Sequence, residues 1–314
     1  MTAWTRSQYH RIMNSTQSPE VPPLKAWLLL LLLALIWGSS FLLIKKGLLT
    51  FSPDQLAALR IASAGLVLLP LIVKRVHNVQ RHHWPKLISV GLVGSFIPAF
   101  LFAFAQTQLP SGVTGVLNTF TPLATLVIGV FIFKQVAKPQ QWLGIAIGLV
   151  GTTLLVTAGE AGAFAFNQYG LLILAATVCY GLNLNLIKHH IPDLSALTIT
   201  GVSLFLVAPP ALLYLLFATP FIAQVSDFES VQLSLAAVLV LGIVGTAAAL
   251  VIFNTVVKLT DTTFTSSVTY LIPIVALILG VLDGEPFLMA HGFGMAAILF
   301  GVWIANRRSR KKPL

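Results

Sequence analysis

Charge is nearly missing from this chain. Asp, Glu, Lys and Arg make up 9% of its 314 residues, against about 25% in an average soluble domain, and none of the four occurs between Leu87 and Phe133. With 57% hydrophobic residues and a mean hydropathy of +0.90, a water-soluble core is excluded. Cysteine is as scarce. Cys179 stands alone, so neither an intrachain disulfide nor a multi-cysteine metal centre can form, and the residue reads as a small apolar side chain. Paired carboxylates, a histidine-containing metal cluster and an activated nucleophile are all missing from the apolar runs, which removes the basis for an intramembrane enzyme. There is no filter motif of the kind a channel carries, and no soluble domain through which a membrane sensor could signal. His77, His82 and His83 lie in a basic loop without a neighbouring carboxylate and read as membrane-surface residues, so no metal and no cofactor is expected.

What remains is apolar sequence punctuated by helix breakers. The uncharged stretch from Leu87 to Phe133 is 47 residues long and is interrupted by Leu109-Pro110-Ser111-Gly112; a spanning helix needs about 20 apolar residues, so the stretch predicts two spans and a tight turn. Applied along the chain, the rule predicts ten spans, at residues 25–46, 54–74, 87–107, 110–133, 140–159, 168–188, 195–218, 233–257, 262–283 and 287–306. The second is the least regular, because Arg60 interrupts it. Ten spans put both ends on one side, and that side collects 16 of the 19 lysines and arginines. Lys45 and Lys46 are left opposite and Arg60 within a span. The positive-inside rule therefore makes both termini cytoplasmic. Residues 1–23 are expected to be a disordered cytoplasmic tail, and residues 307–314 a basic tail drawn to anionic lipid. The net charge of +10 flanks the spans and builds no basic domain, which argues against nucleic acid as a partner.

An internal repeat organises the spans. Residues 91 to 134 laid over 242 to 285 pair Gly91 with Gly242, Gly94 with Gly245, Phe102 with Phe253, Pro122 with Pro273 and Gly129 with Gly280. At an offset of 143, Trp37-Gly38 falls on Tyr180-Gly181. Matched Pro and Gly inside apolar runs carry weight because they alter the backbone. The expected fold is an all-α polytopic membrane protein with two five-helix repeats, residues 24–159 and 168–306. Five is odd, so the repeats are inverted around a central cavity, which is a transporter architecture. Gly144 and Gly148 have helix-packing spacing; the spacing alone leaves open an internal seam or a homodimer contact.

Trp37-Gly38-Ser39-Ser40-Phe41, Leu59-Arg60, Pro122 and Gly284-Glu285 resemble the pattern of the drug/metabolite transporter superfamily, EamA-like family, over about residues 25 to 306. The resemblance implies an exporter of small metabolites such as amino acids in a bacterial inner membrane, with the fifth and tenth helices peripheral to the cavity. The first half departs from the pattern, with Phe133-Lys134 where the second has Gly284-Glu285.

Candidate site residues follow from depth. Pro122 and Pro273 free the carbonyls of Asn118 and Thr269 near mid-helix, and such carbonyls persist only when buried or lining a wet cavity. Asn118, Thr119, Thr269 and Tyr270 beside them are substrate-binding candidates; the competing reading is a packed kink satisfied by nearby hydroxyls. Trp37 and Tyr180 near the midplane are cavity walls or plain packing. Asn183 and Asn185 are about 200° apart around a helix, so one of them at most faces a cavity. Arg60 is a candidate for charge recognition or coupling, with a substrate carboxylate, Asp54 or a helix end as its partner. Glu285 is a coupling candidate or, with Pro286, a helix start. No Asp, Glu or His stands at the midplane, which favours facilitated export of a neutral, zwitterionic or partly apolar solute over a proton-coupled antiporter.

Overall fold

The computed structural model describes residues 23–157, 167–259, 268–286 and 288–306, and the regular structure in them is helical throughout. The two expected tails lie outside the described residues. Helix α1 is Leu24–Gly47, and α2 is Pro53–Val73. In α3, Trp84–Gly91 and Ile97–Ala105 flank a π-helical turn, Leu92–Phe96. In α4, Ser111–Leu117 and Thr121–Phe131 flank a 3-10 turn, Asn118–Phe120. Then come α5 Pro139–Thr157, α6 Tyr169–His190 and α7 Ala196–Phe217. After the short Phe221–Ser226 segment, α8 runs from Phe228–Gly242 through a second π-helical turn, Ile243–Ala248, into Ala249–Leu259. Val268–Leu282 is α9, and Met289–Asn306 is α10.

Local chemistry sets these boundaries. Pro53 occupies the first turn of α2, and the Ser52 N–H donates to Gln55 Oε1 at 3.0 Å in a capping box. At α7 the Thr198 N–H donates to Ser195 Oγ at 3.1 Å. Arg60 does not interrupt α2, which runs unbroken for 21 residues. A helix stands in each interval expected to span. Among the described residues, α1, α2, α3, α4, α6, α7 and α8 are long and apolar enough to cross a membrane, while α5, α9 and α10 stand outside that set. On α1 the exposed residues Leu28, Leu31 and Leu35 form one apolar stripe, a surface suited to lipid and not to water.

Packing follows the repeat. The first helix of each half lies against the other half, α1 on α8 and α9, and α6 on α3 and α4; α2 packs on α7 and α5 on α10. The close approaches are reciprocal. A Cβ on Gly38 of α1 would lie 2.5 Å from Val275 Cβ on α9, and one on Gly181 of α6 would lie 3.0 Å from the Ala124 carbonyl carbon on α4. Likewise, a Cβ on Gly91 would lie 2.5 Å from Ser203 O, and one on Gly242 would lie 2.8 Å from Arg60 O. In each case the second contact is the first moved by the repeat offsets. The two π-helical turns also coincide at an offset of 151, since Leu92 falls on Ile243. Each follows a matched glycine, Gly91 or Gly242.

The α5–α10 seam lies within one chain, and glycines meet across it. A Cβ on Gly151 would stand 2.7 Å from Gly294 O, and one on Gly301 would stand 2.5 Å from Gly144 O and 2.8 Å from Gly148 N. Gly144 and Gly148 are therefore covered by α10. Because backbone atoms bound the space, a methyl group can be accommodated only by parting the helices. Gly301→Ala should lower the thermal unfolding temperature of the purified protein in detergent by the equivalent of about 1–3 kcal/mol. An unchanged transition would mean that the seam is looser than described.

Candidate functional site

Halfway along the helices, side chains from both repeats meet at the two π-helical turns. A π turn opens the hydrogen-bond ladder and leaves carbonyls free. Trp37 Nε1–H on α1 donates to Gly245 O at 3.2 Å, inside the α8 turn. The Thr246 hydroxyl donates to Leu241 O at 3.1 Å and accepts from Arg60 Nε–H at 3.1 Å. In the matched place on α3, Gly94 lies against the Asn183 side chain of α6, and a Cβ there would be 2.8 Å from it. The amide oxygen of Asn183 is buried and accepts no hydrogen bond among the described residues. Aromatic rings complete the layer, with Trp37 on Phe253 at 5.6 Å, Phe41 on Phe102 at 5.9 Å and Phe102 on Tyr180 at 6.1 Å between centroids.

The other candidates divide. Asn185, two residues from Asn183, is fully engaged: its amide donates to Thr125 O at 3.0 Å and Gly181 O at 2.9 Å, and its oxygen accepts from Gln135 at 3.0 Å. Thr119 is buried and donates to Val116 O at 2.6 Å. The Asn118 carbonyl that Pro122 frees accepts from Thr121 Oγ1–H at 2.8 Å, as a satisfied kink requires, while the Asn118 side chain stays partly open. Pro273 lies inside α9, and Thr269 is half-buried one turn before it. The Tyr270 side chain lies outside the described residues. Asp54 accepts from Tyr214 Oη–H at 2.8 Å and does not pair with Arg60. An apolar recess of about 480 Å³ beside α3 and α6, lined by Phe96, Phe100, Leu101, Phe104, Tyr169 and Leu172 among others, includes none of the candidates.

At the Lys45 end of the bundle, Glu285 ties three helices together. Its two carboxylate oxygens accept the Ser111 and Gly112 N–H groups at 3.0 Å each, and Lys45 Nζ lies 3.0 Å away. Glu285 caps α4 of the other half, a contact that its two sequence readings, coupling residue or helix start, did not include; it sits level with the unsatisfied amides there. Asp283 pairs with Lys45 at 2.7 Å and with Lys46. Burial pushes the Glu285 carboxyl up, but the two N–H donors and Lys45 outweigh it and hold the group below its ordinary value. Lys45 and Lys46 likewise hold Asp283 low. The sequence contained a clue to this cluster, since these lysines are the basic pair left opposite the charged face, at the level of two acids.

The first half carries a counterpart that ungapped comparison conceals. Lys134 and Gly284 both adopt left-handed backbone, with φ of 57° and 83°, and each is followed by an N–H that returns to its own helix, Gln135 to Gly129 O and Glu285 to Gly280 O, both at 2.9 Å. Gln135 is thus the mate of Glu285, displaced by a one-residue insertion. It donates to Asn185 and approaches His189 at 2.8 Å. Two further ties join the halves at that end, His83 with Asp193 at 2.8 Å and Lys86 with His190 O at 2.9 Å. Asp193 supplies the carboxylate that sequence alone did not place beside His83, and with His82 the three groups lie within 4.8 Å. They do not make an open metal site: His83 Nδ1 accepts the Gln80 N–H at 3.1 Å, so Nε2 bears the proton given to Asp193 and neither nitrogen has a free lone pair.

The EamA-like transporter family matches the sequence twice, over residues 24–157 and 168–307. The inner membrane transporter YedA of Escherichia coli (strain K12) is 27% identical over 282 residues, covering 86% of this chain and 87% of that protein. A probable amino-acid metabolite efflux pump of Salmonella typhimurium is 28% identical over 285 residues, covering 88% and 93%. A solved crystal structure at 22% identity superposes with a TM-score of 0.58 over 89% of this chain and 96% of its own, a likeness of fold.

The Glu285 cluster yields a stability test. Glu285→Gln keeps one acceptor but loses the charge, and should cost about 1–3 kcal/mol, read as a lower unfolding temperature. Because the folded-state value is depressed, the wild-type contribution is complete above the ordinary glutamate value of about 4.5 and is lost as pH falls through the lower folded value. Between pH 7 and 5 the wild type should therefore hold its advantage over the variant, and in more acid the two curves should converge.

Proposed function

The chain belongs to the EamA-like transporter family, with one match in each half, and from that premise we propose that it is a secondary transporter exporting small metabolites such as amino acids by alternating access between two inverted repeats. In this reading ten helices cross a bacterial inner membrane, both termini face the cytoplasm, and residues 1–23 and 307–314 are cytoplasmic tails. The observation that carries it is reciprocity. Contacts that map onto one another when the halves are exchanged, at Gly38 and Gly181, Gly91 and Gly242, and Gly151 and Gly301, are the mark of a two-fold relation. An odd number of spans per repeat turns that relation into inversion. The name of the Salmonella typhimurium relative supports efflux and an amino-acid-like substrate.

The substrate region is the layer between the π turns, with Trp37, Arg60, Asn118, Tyr180 and Asn183 as its polar and aromatic lining, and Thr269 and Tyr270 on the matched α9 segment. Pro122 and Pro273 are its helix breaks. Ties between the halves stand at both ends, Glu285 with Ser111, Gly112 and Lys45 at one, and His83–Asp193 and Lys86–His190 at the other. Rocking would break one set while the other holds. Glu285, held ionised by its partners, serves as a latch and not as a proton carrier.

Counterflow in proteoliposomes is the test. Vesicles loaded with one unlabelled amino acid at a time should take up the labelled counterpart with no ion gradient imposed. Asn118→Ala should slow that exchange severalfold while the protein remains folded. Silence of the wild-type protein across the amino acids would contradict the proposal.

A further inference from the structure

Arg60 stands two turns inside α2, bonded across to the π turn of α8, and the residue keeps part of its surface open. Tyr180, which lies within electrostatic reach of it, also keeps part of its surface open. The guanidinium is anchored by one bond only, Nε–H to Thr246 Oγ1, so the donors of its outer edge have no protein acceptor among the described residues. Among the described residues no acid pairs with Arg60: Asp54 bonds Tyr214, Asp193 bonds His83, and Asp283 and Glu285 pair with Lys45. Tyr180 Oη likewise has no hydrogen-bond partner among the described residues, and its ring is fixed by Phe102.

A guanidinium at this depth with no counter-ion is costly. A planar two-oxygen anion matches its free edge in bidentate geometry. We propose that Arg60, positioned by Thr246 and assisted by the Tyr180 hydroxyl, is the carboxylate-recognition site, and that the substrates are small monocarboxylates with an apolar or aromatic body. One cation, with Lys45 and Lys46 already neutralised by Asp283 and Glu285, suits a single negative charge and not a phosphate dianion. The apolar body follows from the neighbours: the Thr246 turn continues into Gly245, which holds Trp37 against Phe253, and Tyr180 leads to Phe102 and Phe41. This inference deepens the transporter reading and rests on it for the word substrate, but binding can be measured separately.

The experiment pairs thermal-shift binding with counterflow, using phenylalanine, 3-phenylpropanoate, phenylalaninamide, leucine and 4-methylpentanoate as probes on the full chain. The wild type should be stabilised by carboxylates of this set and respond to phenylalaninamide about tenfold to a hundredfold more weakly, the loss expected for a charge-assisted pair. Arg60→Gln should abolish the preference for acid over amide, Arg60→Lys should retain part of it, and Tyr180→Phe should weaken the acids alone. A purely structural arginine would lower the unfolding temperature when replaced. An unpaired buried charge predicts that Arg60→Gln without ligand unfolds at the wild-type temperature or above. Equal response to acid and amide, a preference surviving in Arg60→Gln, or no response to any carboxylate would overturn the site. Arg60-dependent binding without counterflow would leave the site standing and overturn transport.

Discussion

Hydrocarbon offers no partner to an open backbone group, and the organisation of this protein follows from where it opens its helices nonetheless. The α3 and α8 ladders each loosen into a π turn, and α4 changes to a 3-10 turn before Pro122. The openings in α8 and α4 are answered by side chains. Trp37 crosses from one half to take the Gly245 carbonyl, Thr246 takes that of Leu241, and Thr121 takes that of Asn118. Glu285 does the same for the first amides of α4. Trp37, Thr246, Thr121 and Glu285 are thereby placed at open backbone, so that polar side chains, helix breaks and contacts between the halves coincide there.

The two halves share this backbone plan and differ in chemistry. Where the second repeat ends α9 in Gly284-Glu285, the first ends α4 in Lys134-Gln135, with a left-handed residue at the same structural place. The acid makes an ionic, buried tie, its side chain 7% exposed. The amide makes a neutral one to Asn185 and His189. A symmetric device would hold both faces equally; this one holds the Lys45 end by paired charges and the other end by single hydrogen bonds from Gln135, Lys86 and a neutral His83. The asymmetry bears on which face opens more readily.

Much of the fold was legible in the chain. Runs free of charge placed the helices to within a few residues, since in a membrane protein the hydrophobic length is itself the constraint. Gly91, Gly94, Gly242 and Gly245 revealed the repeat, although nothing in a glycine match distinguishes a π turn from ordinary close packing. The candidate site was legible in part: Trp37, Arg60, Tyr180 and Asn183 stand in one layer, whereas Thr119 and Asn185 are consumed by backbone bonds whose partners, one turn away or on another helix, leave no signature in composition. The Glu285 cap joins residues more than 170 positions apart, and Asp193 reaches His83 across 110. Both depend on how α6 and α9 cross the other half. Gln135 was concealed by a single inserted residue, which a fixed offset steps over.

Alternating access around the layer is the claim on which the functional account rests, and side-specific labelling tests it most directly. With Cys179 replaced by serine, Asn118→Cys should react with a membrane-impermeant maleimide from either face. With Lys46→Cys and Asp283→Cys joined in that protein by a membrane-impermeant thiol cross-linker about as long as the ion pair they replace, the account predicts that access from the Lys45 end disappears while access from the opposite end persists or increases. Labelling unchanged from both faces, or absent from both before the lock is made, would contradict it.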